Sequence, residues 1–495
     1  MKRPLGKIAA AFFVLVLATS AATPAHAQTF KVLYNFKGAP DGANPIAALI
    51  MDAAGNLYGT TLNGGSPTCS PGGGPVGCGT VFRLDPSGNE TVLHSFTGPP
   101  DGIEPWAGLL MDAAGNLYGT TLIGGSASGF PYGTVFKLDL VGNETVLHNF
   151  PNSPGDGKFP EAALAMDPAG NLYGTTFFGG ASNSGTLFKL DTSDNETVLH
   201  NFPSAPGDGS YPIAALIRDA AGNRYGTTYA GGSLACTALP GFAGCGTVFR
   251  LDASGNETVL YSFAGGNDGA GPEAPLIMDT AGNLYGTSAL GGSFGKGIVF
   301  KLDPSGHETV VHTFTGSDGA NPFAGLIMDA AGNLYGTTTA GGPFGRGTVF
   351  KLDPSGNVTV LHAFTGGSDG SDSHAALIMD AAGNLYGTTD GGGTSGFGTV
   401  FKLTVQTPQQ ATHTIINSVN ALFSQGVLNG GQDNSLVVKL QHAIDLMNAG
   451  KNAAAIGNLN AFISEVNDLL SSGVLSPSQA APLVSAAESV IARLS

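Results

Sequence analysis

Seven positions in this sequence carry the side chains best suited to chemistry. They read Ile46, Trp106, Glu161, Ile213, Glu273, Phe323 and His374, each six residues before an aspartate that recurs along the chain. Neighbouring positions barely change between copies, whereas this one does. Two carboxylates, a histidine and two aromatic rings around one cavity would suit a polar ligand such as a sugar, or a cation drawn to the ring faces. Trp106, Glu161, Glu273, Phe323 and His374 are therefore the candidate ligand-binding residues. The blander alternative is a channel mouth that tolerates any side chain.

Other motifs carry less. His94, His148, His200, His312 and His362 recur at one position, where Tyr34 and Tyr261 replace them. That substitution reads as packing, and copies on separate repeats are expected to lie too far apart to share a metal. Gly291 to Gly295 and Gly366 to Gly370 spell Gly-x-Ser-x-Gly, but that nucleophile elbow needs a strand followed by a helix. Gly295-Lys296-Gly297 lacks the glycine spacing and the following Ser or Thr of a phosphate loop. The Asp-Ala-Ala-Gly-Asn turns lack the alternating carboxylates of a calcium loop. The sequons at Asn89, Asn143, Asn195, Asn256 and Asn357 fall in turns and matter only in a glycosylating host. No catalytic set and no metal ligands are assigned. No cofactor is expected, with a divalent cation such as calcium the one candidate.

The element that must position these residues is a repeat. Met111-Asp112-Ala113-Ala114-Gly115-Asn116-Leu117-Tyr118-Gly119-Thr120-Thr121 has close copies at Asp52, Asp167, Asp219, Asp279, Asp329 and Asp380. Each unit holds four short runs rich in Val, Leu, Tyr, Phe and Thr; in the second they are 106–111, 117–122, 134–138 and 145–150. Asp-Ala-Ala-Gly-Asn and Asp-Pro-Ser-Gly-Asn read as tight hairpin links in which glycine takes positive φ. Four antiparallel strands per 50 to 60 residues describe a propeller blade. The fourth run follows units one to six, from Thr91, Thr145, Thr197, Thr258, Thr309 and Thr359. Unit seven stops at Leu403 without it, and the missing run stands at the other end as Lys31 to Phe36. The prediction is an all-β, seven-bladed propeller over 28–403, closed by an N-terminal strand that removes both edges.

Strand parity places the Asp-Ala-Ala-Gly-Asn links on one face. The other face receives the strand two–three loops and the crossovers, with a recurring Asp-Gly at Asp41, Asp101, Asp156, Asp208, Asp268, Asp318 and Asp369. Variable loops on a rigid scaffold are where binding concentrates, so a ligand is expected on that face. The Asp-Gly copies read as turns ahead of the inner strand.

Residues 1–27 read as a signal peptide, with Lys2, Arg3 and Lys7, an apolar run too short to span a membrane, and Ala25-His26-Ala27 before Gln28. No transmembrane segment is expected in the mature chain. A secreted, cell-surface or periplasmic location follows. The net charge is −16, and losing the leader makes it three units more negative, which argues against nucleic acid as partner. Cys69 with Cys78 and Cys236 with Cys245, each nine apart in equivalent loops, suit two local disulfides worth ~2–3 kcal/mol each. No histidine accompanies either pair, which disfavours zinc.

Past Leu403 the composition changes. Residues 404–412 read as a linker, and helices are expected at about 413–425, 432–449, 451–472 and 477–494, from apolar spacing and capping signals. Leu436, Leu440, Ile444 and Met447 form one stripe, Ile456, Leu459, Ile463 and Val466 another. Gly426 to Asn429 corresponds to Gly473 to Ser476, as in a duplicated helical hairpin.

The Asp-Ala-Ala-Gly-Asn-Leu-Tyr-Gly-Thr-Thr, Gly-Thr-Val-Phe-Lys-Leu and Thr-Val-Leu-His-x-Phe motifs over 30–403 resemble the GloVer tandem repeats of exported bacterial proteins with interchangeable C-terminal anchors. Gln432 to Leu436 and Leu459 to Ile463 resemble the FIMAH helical module of secreted bacterial proteins, here in place of a sorting anchor. The resemblance implies export and brings no activity. The first expectation is an exported non-catalytic binding, adhesion or structural propeller whose partner is a carbohydrate or an extracellular or cell-surface protein. The alternative is a hydrolase or lyase using carboxylates or histidine at the channel mouth, with or without a divalent metal.

Overall fold

A computed structural model describes residues 28–69, 77–125, 132–151, 153–203, 207–233, 236, 241–405 and 407–494. The expected signal peptide lies outside the described residues. Two compact units separate, Thr29–Val405 and a helical unit from Gln406 onward.

Among the described residues, the first unit holds seven four-stranded sheets, the blades of a β-propeller. Blade two is built from Leu110–Met111, Leu117–Thr121, Thr134–Leu138 and Glu144–Asn149. In blade seven, Gln28–Asn35 adds outside Thr399–Val405, so the N-terminal strand closes the ring.

The repeated motif explains itself residue by residue. Asp112 accepts the Ala114 and Asn116 backbone N–H groups on one oxygen, and the Asn116 amide and Tyr118 hydroxyl on the other. One carboxylate thus fixes the turn and selects the Asn and the Tyr. Gly119 has no side chain because a Cβ there would stand 2.6 Å from Phe136 Cζ. Thr120 donates to the carbonyl of Ala162 in the next blade, and Thr121 pairs with Thr134 across the sheet at 2.7 Å.

Blades join through aromatic edges. The phenylalanine after each outer strand meets the middle phenylalanine of the next blade, as in Phe96–Phe136 at 5.3 Å and Phe36–Phe82 at 5.1 Å. Seven such T-shaped contacts circle the propeller. Each is worth about 0.5–1.5 kcal/mol beyond its buried area. Both disulfides form, Cys69–Cys78 and Cys236–Cys245, each with Cα atoms 5.6 Å apart.

The inner strand is shorter than expected. The spacing predicts it over residues 106–111, but only Leu110–Met111 pairs. Glu104 takes a left-handed φ of 56° and Pro105 follows it, turning the chain away from the ladder. Ala107 then gives its carbonyl to Thr60 of the preceding blade. The crossovers also gain unforeseen ribbons, such as Gly102–Ile103 against Ile123–Gly124.

The second unit comprises α1 (Pro408–Ser424), α2 (Gly430–Asn448), α3 (Asn452–Ser471) and α4 (Pro477–Ala492). The expected linker 404–412 is mostly absorbed, because the last strand runs through Val405 and α1 starts at Pro408. Thr407 and Gln410 form a reciprocal capping box at that start, a signal that Thr-Pro-Gln-Gln carries openly. Leu436, Leu440, Ile444 and Met447 are buried as expected. On α3 the buried face is Ala455, Leu459, Phe462, Val466 and Leu469, so Ile456 and Ile463 flank the core. Val427 and Val474 donate to Leu422 and Leu469 in matching helix ends, which fits the duplicated hairpin.

Candidate functional site

Each candidate position is set by the same local device. Two residues upstream stands a residue with left-handed φ: Asn44, Glu104, Phe159, Tyr211, Gly271, Asn321 or Asp372. In blade two its N–H goes to Cys78 of the previous blade, while its carbonyl accepts Leu122 N–H of its own blade. The candidate side chain follows, and the next carbonyl is held by the preceding blade's threonine. Three ties within four residues aim the side chain inward.

All seven variable side chains line one cavity of about 550 Å³. Asn44, Asn63 and Asp390 line it too, so it belongs to the face with the crossovers and the segments after strand two. Trp106 is 38% exposed within it. Glu161 and Glu273, on blades three and five, flank Ile213. Burial pushes both carboxyls up to about 7, helped at Glu273 by the charge of Glu161. Across the ring, Phe323 stacks on His374 at 5.6 Å between centroids. Burial lowers the His374 pKa against the opposing pull of Asp390 and Asp372. Burial raises that of Asp390. Asn63 donates to Asn44, and Asn44 donates to the Asp390 carbonyl. The cavity thus has an acidic arc and an aromatic arc.

Sequence reasoning missed an aromatic belt beside the acidic arc. Tyr229, whose hydroxyl is held up by burial and by the charge of Glu273, meets Phe242 at 5.1 Å. The contacts continue through Tyr211, Phe177, Phe178, Phe159 and Tyr132. Phe159 and Tyr211 hold φ of 57° and 61°, where a bulky side chain is a genuine outlier. Such strain costs about 1–3 kcal/mol and concentrates at working surfaces. The signal was present as two aromatics at a position that elsewhere reads Asn, Glu, Gly or Asp.

The recurring histidines and the Asp-Gly copies, read separately from sequence, meet in pairs. His312 Nε2 lies 2.9 Å from Asp318 and His362 Nε2 3.1 Å from Asp369. Tyr34 donates to Asp41 at 2.9 Å.

Two stretches of the chain, residues 21–240 and 234–439, match the Gloeobacter/Verrucomicrobia repeat, and residues 412–492 match the FIMAH domain. No curated protein matches. Similar solved structures include a candidate 6-phosphogluconolactonase from Bacteroides uniformis at 16% identity and TM-score 0.42, covering 66% of this chain and 86% of that one. A periplasmic gluconolactonase from Pseudomonas aeruginosa stands at 14% identity and TM-score 0.42, with 66% and 95% covered. An ulvan lyase stands at 9% and 0.41, with 74% and 94% covered.

Proposed function

Since the chain belongs to the Gloeobacter/Verrucomicrobia repeat family, which brings no activity with it, we propose from the site alone that it is an exported, non-catalytic binding propeller. Its central cavity takes a polar ligand, foremost a carbohydrate. The observation that carries this reading is the convergence of Trp106, Glu161, Glu273, Phe323 and His374 on one cavity. Aromatic faces stack on sugar rings while carboxylates accept their hydroxyls, and a concave site with few polar groups fixes orientation. The partly buried belt from Tyr229 to Tyr132 extends the same chemistry outward. Export is supported by two disulfides, which persist in oxidising compartments. Among the described residues, no helix is long and apolar enough to cross a membrane.

A second reading has its own observation. Glu161 and Glu273 carboxyls held near neutrality suit general acid–base work, as a hydrolase or lyase would need.

Trp106 is the only tryptophan, so its fluorescence reports on the cavity. Titration with oligosaccharides is expected to give saturable changes that weaken when Glu161, Glu273 or His374 becomes Ala. Binding that survives all three replacements would place the site elsewhere. Turnover of a bound glycan, lost in Glu161→Gln or Glu273→Gln, would select the enzymatic reading.

A further inference from the structure

The outer junctions between blades repeat one triad with variations. A His or Tyr from one blade's outer strand stands beside the crossover Asp, and a residue early in the next outer strand completes the group. Three junctions carry His, Asp and Glu together: His94–Asp101–Glu144, His148–Asp156–Glu196 and His200–Asp208–Glu257. In each, the three ligand atoms lie within 4.8 Å of one another. Val358 opens the strand facing His312, and Phe30 stacks on His362 at 3.8 Å. Those junctions cannot gather the same donors.

The three complete triads differ in how far the protein satisfies the aspartate. Asp101 accepts the Thr97 backbone N–H at 2.8 Å, the Thr97 hydroxyl at 3.0 Å and the Gly102 N–H at 2.8 Å, with His94 Nε2 at 3.4 Å. The residue after the junction phenylalanine supplies two of those donors. At the next two junctions it is Pro151 and Pro203, and proline has neither N–H nor hydroxyl. Among the described residues, the Asp156 carboxylate accepts only Gly157 N–H and the Asp208 carboxylate only Gly209 N–H. His200 Nε2 stands 3.6 Å from Asp208, beyond hydrogen-bond reach. Among the described residues, His148 Nε2, His200 Nε2, Glu196 Oε1 and Glu257 Oε1 are all shielded from solvent with no hydrogen-bond partner, whereas at the first junction Glu144 Oε1 is so placed but His94 Nε2 is not. Buried polar atoms without partners forfeit their hydration with nothing in return. At these two places they converge, one imidazole nitrogen and two carboxylates on three separate segments.

We propose that His148–Asp156–Glu196 and His200–Asp208–Glu257 are twin sites for a first-row divalent cation of the zinc type, each clamping neighbouring outer strands. One imidazole and two carboxylates, with water completing the sphere, form a set that zinc accepts. Calcium and magnesium prefer all-oxygen shells. Each cation ties His148 of blade two to Glu196 of blade three, or His200 of blade three to Glu257 of blade four. The clamps brace the rim of the blades whose crossovers carry Phe159 and Tyr211.

The test uses the full chain, purified without a histidine tag, stripped with EDTA and dialysed. It is titrated with zinc, manganese and calcium chlorides in a calorimeter, and retained metal is measured after gel filtration. Two zinc equivalents and a raised melting temperature are expected. Glu196→Gln and Glu257→Gln each remove one equivalent, the double variant removes both, and Glu144→Gln removes none. Pro151→Thr, which returns the competing donors to Asp156, weakens one site by roughly tenfold. Circular dichroism verifies that each variant folds. The proposal is overturned if the parent retains no zinc, if calcium binds in preference, or if retained zinc is unmoved in the folded double variant.

Discussion

Thr388 Oγ1 donates to the carbonyl of Ala47 at 3.4 Å, across 341 residues of chain. The same bond links Thr60 to Ala107, Thr120 to Ala162, Thr175 to Ala214, Thr227 to Ala274, Thr287 to Ala324 and Thr337 to Ala375. Seven equivalent bonds therefore run around the channel, and this one joins blade seven to blade one. The alanine directly follows the variable cavity residue, so the bond that closes the ring also holds the site.

Removing residues 28–36 takes away the outer strand of blade seven and Phe36, which packs on Phe82. The strand Thr399–Val405 would then present an open edge. Aggregation or a large fall in melting temperature is expected. A truncated chain as soluble and stable as the parent would contradict the closure.

The disulfides should act locally. Replacing Cys69 and Cys78 together by Ala is expected to cost ~2–3 kcal/mol and to leave the blade count and far-UV spectrum unchanged. Peptide mapping should find Cys69–Cys78 and Cys236–Cys245 in the parent. A linkage between the two pairs would contradict the assignment.

Stability should peak in mildly acidic solution for metal-free protein. Glu90, Glu161, Glu273 and Glu308 are raised to about 7, chiefly by burial. Between their unfolded values near ~4.3 and that figure the folded state holds more protons, so stability falls as pH rises. The turn aspartates, Asp52 and Asp112 among them, are lowered by hydrogen bonds from Asn and Tyr. Their contribution is present above ~4 and lost as pH falls through the folded values. Urea midpoints followed by Trp106 fluorescence from pH 3 to 8 should pass through a maximum near pH 5. A midpoint that climbs steadily to pH 8 would count against the buried glutamates.

Gly119→Ala should destabilise through contact alone. Its added Cβ would meet Phe136 Cζ at 2.6 Å and Leu109 Cδ2 at 3.2 Å. Overpacking of this kind costs about 1–3 kcal/mol. Chemical denaturation would read the loss, and an unchanged midpoint would mean the blade interior yields more easily than its close packing implies.

The sequence by itself determined the blades and their number, because a turn aspartate, its Asn and its Tyr all act within one repeat. It also showed where the ring closes, since one strand motif was missing at one end and surplus at the other. The variable inward position was legible for the same reason, as a local slot that changes between copies. Tertiary structure decided which residues of different repeats face one another. Glu196 meets His148 only because adjacent outer strands lie side by side, and no spacing within either repeat records that. Pro151 reads in sequence as one loop residue among others; only the fold shows that, among the described residues, its missing N–H leaves the Asp156 carboxylate with Gly157 N–H alone. The inner strand departs from its local pattern where a contact between blades outweighs it, the Ala107 carbonyl held by Thr60, whereas the Thr407–Gln410 cap that shortens the linker is local and stands in the sequence. A periodic sequence reports what each copy must satisfy alone, while chemistry at a junction depends on the geometry that brings two copies together.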